Sequence, residues 1–139
     1  GPLREETLAA LADPEVGVLE GAGGLRVPLS NEPRREIIDL VADLGTSALV
    51  VARSGLGTLN HTALTVEALR RRGVPVLGVA LNRYEAASVA EQTNPDELER
   101  MCDCPVYTLP ETALSGEDSH AALAAELPPY EQMGEEPPL

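Results

Sequence analysis

The chain has 139 residues, enough for one domain with its own core, and 43% of them are apolar. Phe and Trp are absent, so that core must be built from Leu, Val, Ile and Ala. A net charge of −13, with ten arginines and no lysine, repels nucleic acid and anionic membranes and sets both aside as partners.

The first predicted element is a short amphipathic helix over Leu3–Leu11. An apolar run, Val16–Leu19, then reads as a strand. It leads into Glu20-Gly21-Ala22-Gly23-Gly24. Small residues let the backbone approach a ligand closely, and its N–H groups can cradle an anion. Glu20 at the strand's end offers a carboxylate suited to Mg²⁺, while the plainer reading is a glycine-rich turn beside an exposed acid.

The next segment, Arg34–Leu44, places Ile37, Ile38, Val41 and Leu44 on one side of a predicted helix. Ser30 or Asn31 is the expected cap, Pro33 suits the first turn and Gly45 the stop. Ala48–Ala52 is a second apolar strand, followed by Arg53-Ser54-Gly55-Leu56-Gly57-Thr58-Leu59-Asn60. This glycine-rich lead-in opens a helix over His61–Arg72, and free N–H groups at a helix start suit a carboxylate or phosphate. The same residues also allow a purely structural reading, with Thr58 or Asn60 capping the helix.

Val76–Leu81 is the third strand, ending on Asn82-Arg83. An Asn side chain offers donor and acceptor together, which matches an adenine edge, although strand-end Asn is common turn chemistry. Asn94-Pro95-Asp96-Glu97 opens a further predicted helix, with Glu97 placed for a capping box on Asn94. Val106–Leu109 is the fourth strand and runs into Pro110-Glu111.

The strands are apolar throughout and alternate with helices, which predicts an open, mostly parallel α/β sheet with helices on both faces. Ligands of such sheets bind beyond the carboxyl ends of the strands. Residues 1–127 read as the α/β domain, and Pro128–Leu139 as an acidic, Pro-rich, disordered tail. Cys102 and Cys104 have no Cys or His cluster beside them and read as structural thiols. With neither a signal peptide nor an apolar run long enough to span a membrane, the expected location is cytoplasmic.

Four motifs, in order, resemble dethiobiotin synthetases. They are Glu20 to Gly24 with Val27-Pro28-Leu29, Gly57 to Thr62, Gly78 to Asn82, and Thr93-Asn94-Pro95 with Pro105-Val106 to Leu109-Pro110. The resemblance runs from about Val16 to about Glu117. It implies a P-loop NTPase-like fold and a homodimer. It also implies an ATP- and Mg²⁺-dependent ligase that carboxylates 7,8-diaminopelargonate with CO₂, phosphorylates the carbamate and closes the ureido ring of dethiobiotin.

By position, Glu20, Gly21, Ala22 and Gly23 would line the ATP phosphates, with Glu20 the Mg²⁺-associated acid. Asn82 and Arg83 would meet adenine, and Pro110, Glu111, Thr112 and Glu117 would flank the nucleoside. Gly57, Thr58, Leu59 and Asn60 would hold the substrate carboxylate, reaching into a partner subunit's site. Tyr107-Thr108 stands where the family has Leu-Gly, which sets a side chain beside the expected nucleotide.

The family's P-loop, its Mg²⁺-binding Thr and its catalytic lysines precede the matched region, and this sequence contains none of them. The chain therefore reads as a C-terminal portion, truncated at its N-terminus, with no catalytic residue assigned. The alternatives are a non-catalytic nucleotide-binding or dimerisation module of this family, or a related amidotransferase-type domain.

Overall fold

A computed structural model describes residues 2–10, 12, 17–111, 121 and 123–129. Its elements are α1 (Pro2–Ala10), β1 (Pro28–Asn31), β2 (Arg34–Glu36), α2 (Ile37–Leu44), β3 (Ala48–Arg53), α3 (Thr58–Arg71), β4 (Val76–Asn82), α4 (Val89–Cys102) and β5 (Val106–Leu109). Thr112, Glu117 and residues 130–139 of the expected tail lie outside the described residues.

The three apolar runs from Ala48 onward form a parallel sheet in the order β3-β4-β5. Val50 pairs with Val79 and Val79 with Val106, so one face presents a branched aliphatic row. The two crossovers carry α3 and α4 onto that face. Helix α3 buries Thr58, Thr62, Val66 and Leu69, and α4 buries Asn94, Leu98 and Cys102. The first set recurs at intervals of four and three residues and the second at four, each one stripe of a helix.

The buried cluster comprises Val50, Val66, Leu69, Val74, Val79, Leu81, Leu98 and Cys102. Burial of Leu69, Leu81 and Leu98 stabilises the fold by about 1.5–3 kcal/mol each. Leu25, Val41 and Ala42 pack against this cluster from the preceding loop and from α2.

The opposite face of the sheet carries Val51, Ala80 and Tyr107 in register. Tyr107 turns its ring over Gly78, where a Cβ would lie 2.8 Å from Tyr107 Cε2 and 2.8 Å from the Pro105 carbonyl oxygen. Gly78 is two residues before Ala80, the register partner of Tyr107, so the ring points away from the carboxyl end of β4. The side chain expected beside the nucleotide is thus directed toward the strand's other end.

Several predicted boundaries move. Val16 lies outside the described residues, and 17–19 form no strand: Val18 is 87% exposed and no described strand pairs with this run. An apolar run without a ladder partner leaves its N–H and C=O groups to water. The helix expected from Arg34 begins at Ile37, because residues 34–36 pair antiparallel with β1. Neither Ser30 nor Asn31 caps it. Glu36 holds the cap position, its N–H donates to Asp39 Oδ2 at 2.9 Å, and Gly45 ends the helix with φ of 67°.

Helix α4 is capped by Ser88, whose Oγ accepts the Glu91 N–H at 3.2 Å, six residues before the expected cap. Asn94 is therefore interior, Pro95 sits inside the helix, and Glu97 pairs with Arg100 rather than closing a capping box. The first and third helices were expected at Leu3–Leu11 and His61–Arg72, and they run Pro2–Ala10 and Thr58–Arg71. The Arg4 Nε donates to the Asp43 carbonyl at 2.9 Å and ties α1 to the end of α2.

Candidate functional site

Strand register sets the geometry of the candidate site. Arg53, Asn82 and Leu109 end their strands side by side, Arg53 paired with Asn82 and Asn82 with Leu109. The loops that follow all leave from this one edge, where open α/β sheets bind ligands.

At the middle of the edge the chain turns sharply. Asn82 Oδ1 accepts the Arg83 N–H at 3.0 Å, and Arg83 adopts φ of 55°. The turn thus uses the acceptor side of Asn82 and leaves the Nδ2 donors to other partners. The Tyr84 N–H donates to the Leu109 carbonyl at 2.8 Å, holding the turn beside Pro110. Arg83 Nε lies 3.9 Å from Glu111 Oε1, an exposed pair. The structure therefore brings Asn82, Arg83, Pro110 and Glu111 together.

The loop after β3 leads into α3 through Gly57, which adopts φ of 92°. An L side chain is strained at that angle, so glycine is needed there. No side chain caps this helix start, so neither Thr58 nor Asn60 acts as its N-cap. Thr58 is buried and its Oγ1 lies 3.1 Å from Thr62 Oγ1. Leu59 packs on the core, while Gly57 and Asn60 face solvent. The Thr58 N–H donates to the Gly55 carbonyl at 3.3 Å, so what the helix start offers a ligand is the backbone N–H of Leu59 and Asn60 and the Asn60 side chain.

Glu20, Gly21, Ala22, Gly23 and Gly24 are all exposed. The loop is anchored just past them, where the Ile38 N–H donates to the Leu25 carbonyl and the Ile37 N–H to the Val27 carbonyl, both at 3.0 Å. Its open position fits an anion cradle, but the residues for a triphosphate clamp are not in this chain: it has no lysine. Among the described residues no three His, Cys, Asp or Glu side chains converge as a metal site. Glu20 alone would be one Mg²⁺ ligand, with phosphate and water oxygens completing the shell.

A second charged region lies elsewhere. A cleft of 610 Å³ between the β1–β2 hairpin, α2 and α3 is lined by Arg26, Arg34, Arg71 and Arg72 with Glu36 and Asp39. Its arginines are engaged: Arg26 and Arg34 with Glu36, Arg71 with Glu67, and Arg72 with Asp39. The Arg26 guanidinium, above all, holds the Glu36 carboxyl below the usual carboxylate range. These pairs tie Arg26 to the hairpin through Glu36 and the end of α3 to the start of α2.

Sequence reasoning missed three polar groups behind the edge: the buried Ser54 and Asn94 and the half-buried Glu91. Ser54 is 5% exposed, and its Oγ lies 2.8 Å from Glu91 Oε1 and 3.1 Å from the Arg83 carbonyl oxygen. Asn94 is 4% exposed, and its Nδ2 donates to the Ser54 carbonyl at 2.7 Å and the Gly55 carbonyl at 3.3 Å. The Ser54 hydroxyl and the Ala87 N–H hold the Glu91 carboxyl below its ordinary pKa range. The one available sequence signal was Asn94 and Glu91 at helical spacing, easily taken for cap chemistry.

Residues 5–136 match a family described as an AAA domain. An ATP-dependent dethiobiotin synthetase of Haloferax mediterranei is 52% identical over 92% of this chain and 55% of its own length. One of Anaeromyxobacter dehalogenans is 65% identical over 48% of this chain and 29% of its own. A third, of Thermodesulfovibrio yellowstonii, is 41% identical over 63% of this chain and 40% of its own. The chain thus spans about half the length, or less, of these curated relatives.

Proposed function

This chain belongs to the AAA domain family and, within it, to the dethiobiotin synthetases, and from that membership we propose that it supplies the substrate-carboxylate and nucleoside sides of a ligase forming the ureido ring of dethiobiotin from 7,8-diaminopelargonate and CO₂. The observation that carries this reading is the shared strand edge. Arg53, Asn82 and Leu109 end in register, and the uncapped start of α3 opens from the same edge.

In this proposal the helix start at Gly57, Thr58, Leu59 and Asn60 receives the carboxylate of diaminopelargonate. Backbone N–H groups and the helix dipole favour an anion there. Asn82, Arg83, Pro110 and Glu111, with Thr112 and Glu117, form the nucleoside side. Glu20 to Gly23 face the phosphates, and Glu20 contributes to Mg²⁺. Bound ATP would supply the phosphoryl group that activates the substrate's carbamate for ring closure. The residues of this chain orient the two ligands, and phosphate-clamping lysines must come from outside it. A second copy of the chain is the proposed partner at α3, which is supported by the solvent-facing helix start and by Leu56, 94% exposed beside it.

Calorimetric titration with 7,8-diaminopelargonate, and separately with MgATP, tests this reading. Diaminopelargonate is expected to bind, MgATP to stabilise the chain only weakly, and the chain alone to form no dethiobiotin. Absence of diaminopelargonate binding overturns the substrate assignment. Strong stabilisation by MgATP, or turnover by the chain alone, overturns the division of labour.

A further inference from the structure

The loop between β3 and α3 has little apolar packing to hold it. Leu56 at its tip is 94% exposed, and a Cβ built on Gly55 would meet nothing within 4 Å. Gly57, at φ of 92°, brings no side-chain cap. Within the loop the Thr58 N–H donates to the Gly55 carbonyl at 3.3 Å, a long bond that leaves most of the task of aiming the start of α3 to groups outside it.

The fixing groups come from α4. Glu91 and Asn94 are three residues apart, hence neighbours on one side of that helix. Asn94 grips the carbonyls of Ser54 and Gly55, and Glu91 accepts from the Ser54 hydroxyl. The hydroxyl also lies within hydrogen-bond distance of the Arg83 carbonyl, in the turn after β4. Glu91 Oε2 accepts the Ala87 N–H at 2.8 Å and is itself held. One turn of α4 thus reaches both loops of the strand edge.

Burying polar side chains is costly unless each is hydrogen-bonded, and an aliphatic residue would fill the same space without that demand. Among the described residues every buried side-chain polar atom has a partner. A fully satisfied polar node specifies one arrangement, where an apolar contact would tolerate several.

We propose that Ser54, Glu91 and Asn94 are positioning residues that fix the β3–α3 loop, and with it the N–H groups at the start of α3, against the Asn82-Arg83 turn. The role rests on the assignment of the helix start to the diaminopelargonate carboxylate. None of the three touches the ligand. They act through the backbone of 54–57, so their loss should weaken binding out of proportion to any loss of stability.

The test compares the whole chain with Glu91→Gln, Asn94→Ala and, as control, Cys102→Ala at the far end of the same helix. Each is titrated with 7,8-diaminopelargonate by calorimetry, with Tm and the amide shifts of residues 55–60 measured alongside. Glu91→Gln and Asn94→Ala are expected to weaken binding about tenfold or more and to move the 55–60 amides. Cys102→Ala should lower Tm while leaving the dissociation constant within about twofold. If Asn94→Ala does not fold, Glu91→Gln decides, since it keeps the side chain's size. A wild-type chain that fails to bind overturns the functional reading and this role together. A wild-type chain that binds, with Glu91→Gln equal to it, overturns the positioning role alone.

Discussion

Asp39 in the first turn of α2 and Arg72 at the end of α3 form an ion pair that serves both helices. Asp39 sits where the helix dipole is positive and Arg72 where it is negative, so each charge is favoured before they meet. The same carboxylate accepts the Glu36 N–H at 2.9 Å through its other oxygen. That backbone bond, foremost, and the Arg72 guanidinium hold the Asp39 carboxyl below its ordinary pKa range.

A pH dependence follows. A carboxyl whose folded pKa is depressed stabilises the fold above its unfolded value, about pH 4, and loses that contribution as pH falls through the folded value. Glu36, Asp43 and Glu91 shift in the same direction as Asp39. Acidification also relieves the repulsion of a −13 chain, so the single-site effect needs a difference measurement. The Tm gap between wild type and Asp39→Asn should be widest near neutrality and close below about pH 4. A gap that widens on acidification would contradict the pairing.

Gly78→Ala should destabilise the chain by about 1–3 kcal/mol in urea unfolding. The new Cβ would lie 2.8 Å from both the Tyr107 ring and the Pro105 carbonyl oxygen. The ring can swing aside, but the carbonyl belongs to the β4–β5 connection and accepts the Val79 N–H. A neutral outcome would show that Tyr107 does not rest there.

Two glycines of one loop should behave differently. Gly57→Ala places a side chain at φ of 92° and should cost about 1–2 kcal/mol. Gly55 has no positive φ and open space around its Cβ direction, so Gly55→Ala should stay within about 0.5 kcal/mol of wild type. Equal costs at the two positions would rule out the left-handed angle as the cause.

The thiols should be slow to react at neutral pH. Burial, chiefly, raises the pKa of both Cys102 and Cys104, which lowers the thiolate fraction that attacks disulfide reagents. Cys102 is 2% exposed and should label with an aromatic disulfide only as the chain unfolds in urea, after the half-buried Cys104. Rapid labelling of both in native buffer would refute their packing.

Strands β3, β4 and β5 were legible as unbroken apolar runs, although on the face away from α3 and α4 Val51 is 64% exposed. Helix α3 was legible from the glycine-rich lead-in that opens it, with its start placed three residues late. The hairpin was not: Arg34-Arg35-Glu36 is charged, and its strand geometry depends on pairing with β1 and on Arg26 reaching Glu36 from ten residues away. The start of α4 was misplaced because Asn94-Pro95 imitates a cap, whereas the Asn94 amide is engaged by a carbonyl 40 residues earlier. Strand-end logic found the rim of the candidate site but not the node behind it. Ser54, Glu91 and Asn94 meet only after the sheet has formed.

All eight residues of the buried cluster fall between Val50 and Cys102, within two consecutive strand–helix crossovers. In kinetic terms the core can close through short loops, with neighbours in sequence becoming neighbours in space. Low sequence separation of these contacts favours rapid closure of this core. The loop of residues 54–57 and the Asn82-Arg83 turn lie inside those same crossovers, so the strand edge takes shape as the core closes.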